Sequence, residues 1–380
     1  MLPRSHRYPW DQSRNAISEA LAARRQRGHA CIDLSLSNPA RALLDLPDPW
    51  DISPLPATGY EPSPLGASEA REAICRYYEE EFQCPLSPSR IVLTTSTSEA
   101  YSYCFKAFAD PGGEILIPEP SYPLLRFLVE AEGLTPVPYR LLFAAGEWVL
   151  DRDHVSSVYS NRTRALVVVH PNNPTGHYLT TSDWLWLREW TAGRIWLLGD
   201  EVFADYDWTT SARPNRSCLR LPAPNLILMS GLSKICALPQ MKLGWIVLPP
   251  NDRLAQDFDW IADTYLSVSG PIQHCTPAWI GARHHFQAPI RARCLQSLQL
   301  LAGQLRHSPW TLLKPEAGWM AILQGPAQEN EERLVLQLIA NGISVHPGFF
   351  YDLPLPNSLV VSLLTPADPL RQGLQAIIFS

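Results

Sequence analysis

The sequence has no Cys-x-x-Cys pair, and its eight cysteines are scattered without the Cys/His spacing of a metal module. That excludes a zinc finger and points to reduced thiols rather than a disulfide framework. No stretch reaches the ~18 uninterrupted apolar residues of a membrane helix. The opening Met1-Leu2-Pro3-Arg4-Ser5-His6 has no apolar core of a signal peptide. A cytoplasmic location is expected on those grounds. No basic stripe suits nucleic acid and no acidic block reads as a tail, in a chain whose net charge is a modest -6. Internal repeats and low-complexity tracts are also missing. His284-His285 lacks a companion Cys, Asp or His at ligand spacing, so it reads as a solvated helix face, and no metal is expected.

What the chain does have is length and apolar content: 380 residues, 46% of them hydrophobic, enough for two domains with a sizeable core. Its 36 prolines punctuate element ends and read as stiff loops. In the middle of the chain, short β-type runs at 90–95, 114–118, 165–170, 194–200, 225–230 and 243–248 alternate with helical patterns such as 98–109, 122–132 and 181–191. This alternation predicts an α/β fold, a mostly parallel sheet between helices. From 252 to 282 a long helical stretch is broken at Ser269-Gly270-Pro271, and 288–305 is again helical. Short runs at 318–323 and 342–345 with a helix at 329–340 between them suggest a smaller α+β domain.

Three short motifs carry the chemistry. His170-Pro171-Asn172-Asn173-Pro174-Thr175-Gly176, Gly199-Asp200-Glu201-Val202-Phe203 and Ser230-Gly231-Leu232-Ser233-Lys234 each follow an apolar run. Ligands bind at such strand ends in open α/β sheets. Taken singly, Asn-Pro-Thr-Gly is turn chemistry, Asp-Glu is a solvent-facing acidic pair and Lys234 is a surface lysine. Together they are the set a pyridoxal phosphate enzyme needs: a lysine to form the imine, an aspartate to keep the pyridine nitrogen protonated, an asparagine to hold the ring oxygen. Thr95-Ser96-Thr97-Ser98 follows a strand and opens a helix, an arrangement suited to a phosphate dianion as well as to a simple N-cap with Glu99.

The ordered motifs resemble the class I/II aminotransferases of pyridoxal phosphate fold type I, the aspartate aminotransferase-like enzymes, over nearly the whole chain. The resemblance implies a large domain at 46–265 with a seven-stranded type of sheet, and a discontinuous small domain at 1–45 and 266–380. It implies that Lys234 carries the cofactor as a Schiff base, Asp200 pairs with the pyridinium nitrogen, and Asn173 bonds the phenolic oxygen. Thr97, Ser98 and Lys242 would hold the phosphate, and Tyr122 would stack on the ring. Tyr60 would reach the phosphate of the neighbouring subunit, which implies a homodimer. Lys234 and Asp200 are then the catalytic pair, the partners a small-molecule amino donor and an oxo acceptor.

Four positions depart from the family pattern. Gly231 stands where a serine contacts phosphate, and Lys242 stands where an arginine does, offering a point charge instead of a fork. Phe203 replaces a tyrosine that bonds the ring oxygen. Val360 replaces the arginine that clamps the substrate α-carboxylate with two hydrogen bonds. Arg41 is the candidate substitute, against the alternative of an ordinary surface arginine. Aminotransfer is the expected activity. A fold type I lyase, cyclase or racemase would use the same residues, and a catalytically idle pyridoxal-binding protein is the remaining alternative. An aminotransferase-like transcription regulator would need a DNA-binding module ahead of the Tyr60 region.

Overall fold

A computed structural model describes residues 5, 7, 15–55, 59, 61–209, 216–326 and 330–379. Its centre is an eight-stranded sheet. Across the sheet the order is Ile91–Thr94, Gly244–Val247, Leu226–Gly231, Trp196–Asp200, Thr163–Val169, Glu114–Glu119, Thr135–Ala144 and Glu147–Leu150. Gly244–Val247 runs antiparallel to both its neighbours and the edge strand Glu147–Leu150 to Thr135–Ala144; the other pairs are parallel.

The parallel strands are apolar nearly throughout because both sheet faces are covered. Alternate side chains go to opposite layers. Val92, Ile115, Ile117, Val167, Leu198, Ile227 and Ile246 pack on one face with helices Thr97–Phe108 and Asp252–Asp263. Ile91, Leu93, Leu116, Leu166, Val168, Leu197 and Leu228 pack on the other with helices Ser68–Phe82 and Thr181–Thr191.

The last two strands are more than the sequence suggests. Thr135–Ala144 carries Pro136 and Pro138, which read as loop residues, yet it pairs with Glu114–Glu119 in parallel and with Glu147–Leu150 as a hairpin. The break expected near 269–271 lies between helices Asp252–Asp263 and Gly270–Gly281. The next helix, Arg283–Leu305, starts five residues before the expected boundary and contains Pro289. A proline in its second turn makes a sequence reading start the helix late.

A four-stranded sheet, ordered Thr311–Leu313, Met320–Gln324, Ser358–Ser362, His346–Pro347, forms the smaller α+β part with helix Glu331–Ala340. The N-terminal Ile32–Asp33 pairs in parallel with Ile343–Ser344 and so ties the start of the chain to this part.

Candidate active site

Strand register brings the motifs to one edge. Val169 is opposite Asp200, Asp200 is opposite Met229, and Gly231 is opposite Gly244. The carboxyl ends of the parallel strands therefore line up, and the antiparallel Gly244–Val247 contributes its amino end to the same edge. Asn173, Asp200 and Lys234, far apart in sequence, emerge there together, as does the turn after Ile91–Thr94 that carries Thr97 and Ser98.

Asp200 and Glu201 do not face solvent; both are buried. Asp200 receives the phenol of Tyr101 at 3.0 Å and the Val202 N–H at 3.3 Å. Burial raises its carboxyl to about 6, against the opposing pull of these donors, of Tyr122 and of the Lys234 charge. Glu201 accepts from Ser217 at 2.9 Å and from the Cys218 N–H at 3.1 Å, and burial raises it to about 8.

Lys234 lies in the one-turn helix Leu232–Ile235, whose Lys234 carbonyl accepts from Tyr206 at 2.8 Å. Its Nζ sits 4.7 Å from the ring centre of Trp319 and 5.3 Å from that of Phe203, and those two rings meet edge to face at 5.3 Å. Burial lowers the ammonium to about 8, with Asp200 pulling the other way. A neutral amine near pH 8 is a competent nucleophile and base.

The helix Thr97–Phe108 opens with a reciprocal cap: Ser96 Oγ accepts the Glu99 N–H, and Glu99 accepts the Thr95 N–H at 2.6 Å. The N–H groups of Thr97 and Ser98 have no partner among the described residues and stand at the positive end of the helix. Gly244 makes this turn accessible. A Cβ there would lie 2.9 Å from the Ser96 carbonyl carbon and 3.0 Å from the Thr97 nitrogen, both backbone atoms that cannot rotate away. We expect Gly244→Ala to push this turn aside and weaken cofactor binding at least tenfold, measured by fluorescence titration of cofactor into the cofactor-free protein. Gly231 is crowded in the same way, its Cβ position 3.0 Å from Gly244 Cα and from the Leu243 carbonyl, which accounts for the missing serine.

In the Asn-Pro-Thr-Gly turn, Asn172 is the structural asparagine: it accepts from Thr175 at 2.9 Å and donates to the Pro120 carbonyl at 3.2 Å. Asn173 is different, because its buried Oδ1 has no partner. Gly176 has φ +69°, and a side chain there would collide with the Ala317 carbonyl, so glycine is required.

The other expected residues are placed as follows. Tyr122 approaches Tyr101 and Asp200 with its phenol. Lys242 is exposed, with φ +51°, two residues from Gly244. Arg41 is exposed at the end of the turn Pro39–Arg41, and among the described residues no hydrogen bond or ion pair joins it to the others. Val360 is buried in Ser358–Ser362, opposite Ile322. Tyr60 lies outside the described residues. Sequence reasoning missed Tyr101, Tyr206 and Trp319, which read only as helix or core aromatics.

These residues fit pyridoxal phosphate: unused N–H groups for the phosphate, a buried carboxyl for the ring nitrogen, an asparagine whose amide NH2 can donate to the ring oxygen, and a desolvated amine for the aldehyde. The comparisons with known proteins agree. The family described as aminotransferase class I and II matches residues 57–377. Alanine aminotransferase of Mycobacterium bovis is 27% identical over 384 residues, covering 96% of this chain and 88% of its own. An aspartate aminotransferase double mutant of Thermus thermophilus superposes with TM-score 0.87 at 22% identity over 100% of both chains. Alanine aminotransferase from Pyrococcus furiosus gives the same TM-score and identity over 99% of both. At these identities the two structures speak for the fold alone.

Proposed function

The chain belongs to the class I and II aminotransferases, enzymes that use pyridoxal phosphate to move an amino group, and from that premise we propose that Lys234, Asp200 and Asn173 do this work here. The observation that carries the reading is the placement of a half-buried, desolvated lysine and a buried aspartate at the same sheet edge as an open helix N-terminus. When bound, the cofactor supplies an aldehyde carbon that takes up amines and a protonated ring that accepts the electron pair of the substrate carbon. Lys234 would hold the cofactor through its Nζ and, once free as a neutral amine, would be the group that takes and returns the substrate's α-proton. Asp200 keeps the proton on the ring nitrogen. Asn173 would donate its amide N–H to the ring oxygen, with no help from Phe203, which has no hydroxyl. Thr97 and Ser98 hold the phosphate through their N–H groups, with Lys242 adding charge, and Tyr122 covers the ring. The proposal divides the chain at 46–265 and at 1–45 with 266–380, supported by the pairing of Ile32–Asp33 with Ile343–Ser344. The proposed location is cytoplasmic; among the described residues no helix is long and apolar enough to cross a membrane.

The relatives named above act on alanine or aspartate by their names, but Val360 brings no cation to the substrate. The proposed substrates are therefore amino donors and oxo acceptors whose carboxylate, if present, is bound elsewhere, Arg41 being the candidate. The test is a half-reaction screen. The holoenzyme is mixed with α-amino acids and with carboxylate-free amines, and conversion of the cofactor to its amine form is followed by absorbance. Donors that all require an α-carboxylate would call for a cation other than position 360, and turnover of such donors unchanged in Arg41→Ala would remove Arg41 as that cation. Val360 also favours one second reading, a lyase, cyclase or racemase on the same residues, which product analysis by mass spectrometry separates from aminotransfer.

Tyr60 can serve its family role only from a second chain, so the enzyme is proposed to be a homodimer. A stable interface of this kind buries more than ~1,000 Å². Sedimentation at micromolar concentration should give twice the 42.6 kDa chain mass. A fully active monomer would refute it.

A further inference from the structure

We propose that Tyr101 is a positioning residue of this active site, donating its phenol to Asp200 so that the carboxylate stays ionised and fixed for the cofactor's ring nitrogen. The inference rests on the reading of Asp200 given above. Tyr101 belongs to the first turns of helix Thr97–Phe108 and is fully buried. Its ring packs on Phe105 with centroids 5.7 Å apart, and its hydroxyl reaches Asp200 Oδ2 at 3.0 Å. The other carboxylate oxygen, Oδ1, takes the Val202 N–H. Each oxygen thus has a donor, with the Tyr122 phenol as a third, which sets the carboxylate plane and still leaves a lone pair for a further donor.

A purely structural role would not need the hydroxyl. Tyr101 sits in an apolar layer with Val92, Ile117 and Val169, where a phenylalanine would fill the same space without a polar atom to satisfy. The groups facing Asp200 from all sides are Tyr101 from the helix, Tyr122 from the turn after Glu114–Glu119, Lys234 from its one-turn helix, and the Cys218 thiol. Burial holds both phenols and the thiol far above their usual values, so they remain protonated and the two phenols are permanent donors. Burial of Asp200 works against its ionisation, and Tyr101 works for it.

The experiment is the pH dependence of cofactor affinity, measured by titrating pyridoxal phosphate into cofactor-free wild type, Tyr101→Phe, and protein carrying 3-fluorotyrosine at position 101. An analogue with carbon in place of the ring nitrogen is titrated in parallel. The analogue keeps the phosphate, so it records the acid limb due to phosphate alone. In wild type, affinity for pyridoxal phosphate should fall as pH drops through about 6, where Asp200 gains a proton. Losing a hydrogen bond to a charged group should raise that limb by about one pH unit in Tyr101→Phe, roughly a tenfold loss at fixed pH on the limb. Fluorotyrosine, a stronger donor of nearly the same shape, should lower it, and the analogue should respond to neither change. A limb unmoved by both substitutions overturns the proposal, as does one that moves equally with the analogue. Should the phenylalanine variant not fold, the fluorotyrosine protein decides alone by the same criterion. A wild type with no Asp200 limb overturns the reading of Asp200 along with it.

Discussion

Lys234→Ala should abolish amino transfer, lowering turnover by about 10³-fold or more, the upper part of the range for a lost general base. Here one amine both binds the aldehyde carbon and moves the α-proton, so nothing else at the site replaces it: Trp319 and Phe203, the rings around it, carry no base. Borohydride reduction of wild type, followed by peptide mapping, should place the cofactor mass on the peptide containing Lys234, and the variant should take no label. Label on another lysine would refute the assignment. The pH dependence has a definite sign. Burial holds the ammonium at about 8, below its ordinary 10.5, so the neutral amine gains population as pH rises through 8. The rate at which cofactor-free enzyme captures the aldehyde should rise over that interval and level off above it.

Asp200→Asn should fold and bind phosphate but lose about 10²–10⁴ in turnover, because an amide cannot hold a proton on the ring nitrogen. It should also make the cofactor-free protein more stable at neutral pH. Burial raises the folded carboxyl from 3.8 to about 6. A carboxyl raised on folding costs nothing below its unfolded value. Its cost grows as pH rises from 3.8 and is complete above 6. The gain at pH 7 is at most roughly 3 kcal/mol, a figure from which the attraction to Lys234 is already subtracted. Thermal unfolding of the cofactor-free proteins at pH 3.5 and pH 7 checks this: the advantage of the variant should be present at pH 7 and shrink at the lower pH. An inactive variant that is as stable as wild type rules out unfolding as the cause. Retained activity would remove Asp200 from the chemistry.

The fold and the three motifs were legible for a physical reason. A parallel sheet covered on both faces demands unbroken apolar strands, and such strands announce themselves locally, as Leu226–Gly231 and Thr163–Val169 do. The polar residues needed for chemistry must lie where those runs stop, so Asn173, Asp200 and Lys234 stood out by position as much as by type. Where the local rule was overridden, tertiary contacts did it. Pro136 and Pro138 read as breakers, but Thr135–Ala144 is a strand because its neighbours supply the pairing.

Contacts between residues remote in sequence leave no local signal, and these decided the rest. Tyr101 meets Asp200 across 99 positions, and nothing in the helix pattern of 97–108 distinguishes its hydroxyl from a core filler. Gly244 is required by the backbone of Ser96 and Thr97 on the neighbouring strand's turn, a steric fact invisible along the chain. Trp319 reaches Lys234 because the segment before Met320–Gln324 meets the one after Trp196–Asp200, Ala317 bridging to Asp207. Sequence by itself determined the fold class, the family and the order of the chemical groups, since periodicity and short motifs are local properties. Only the tertiary structure decided which side chains surround Lys234 and Asp200, because burial and hydrogen-bond partners exist only once the strands are in register.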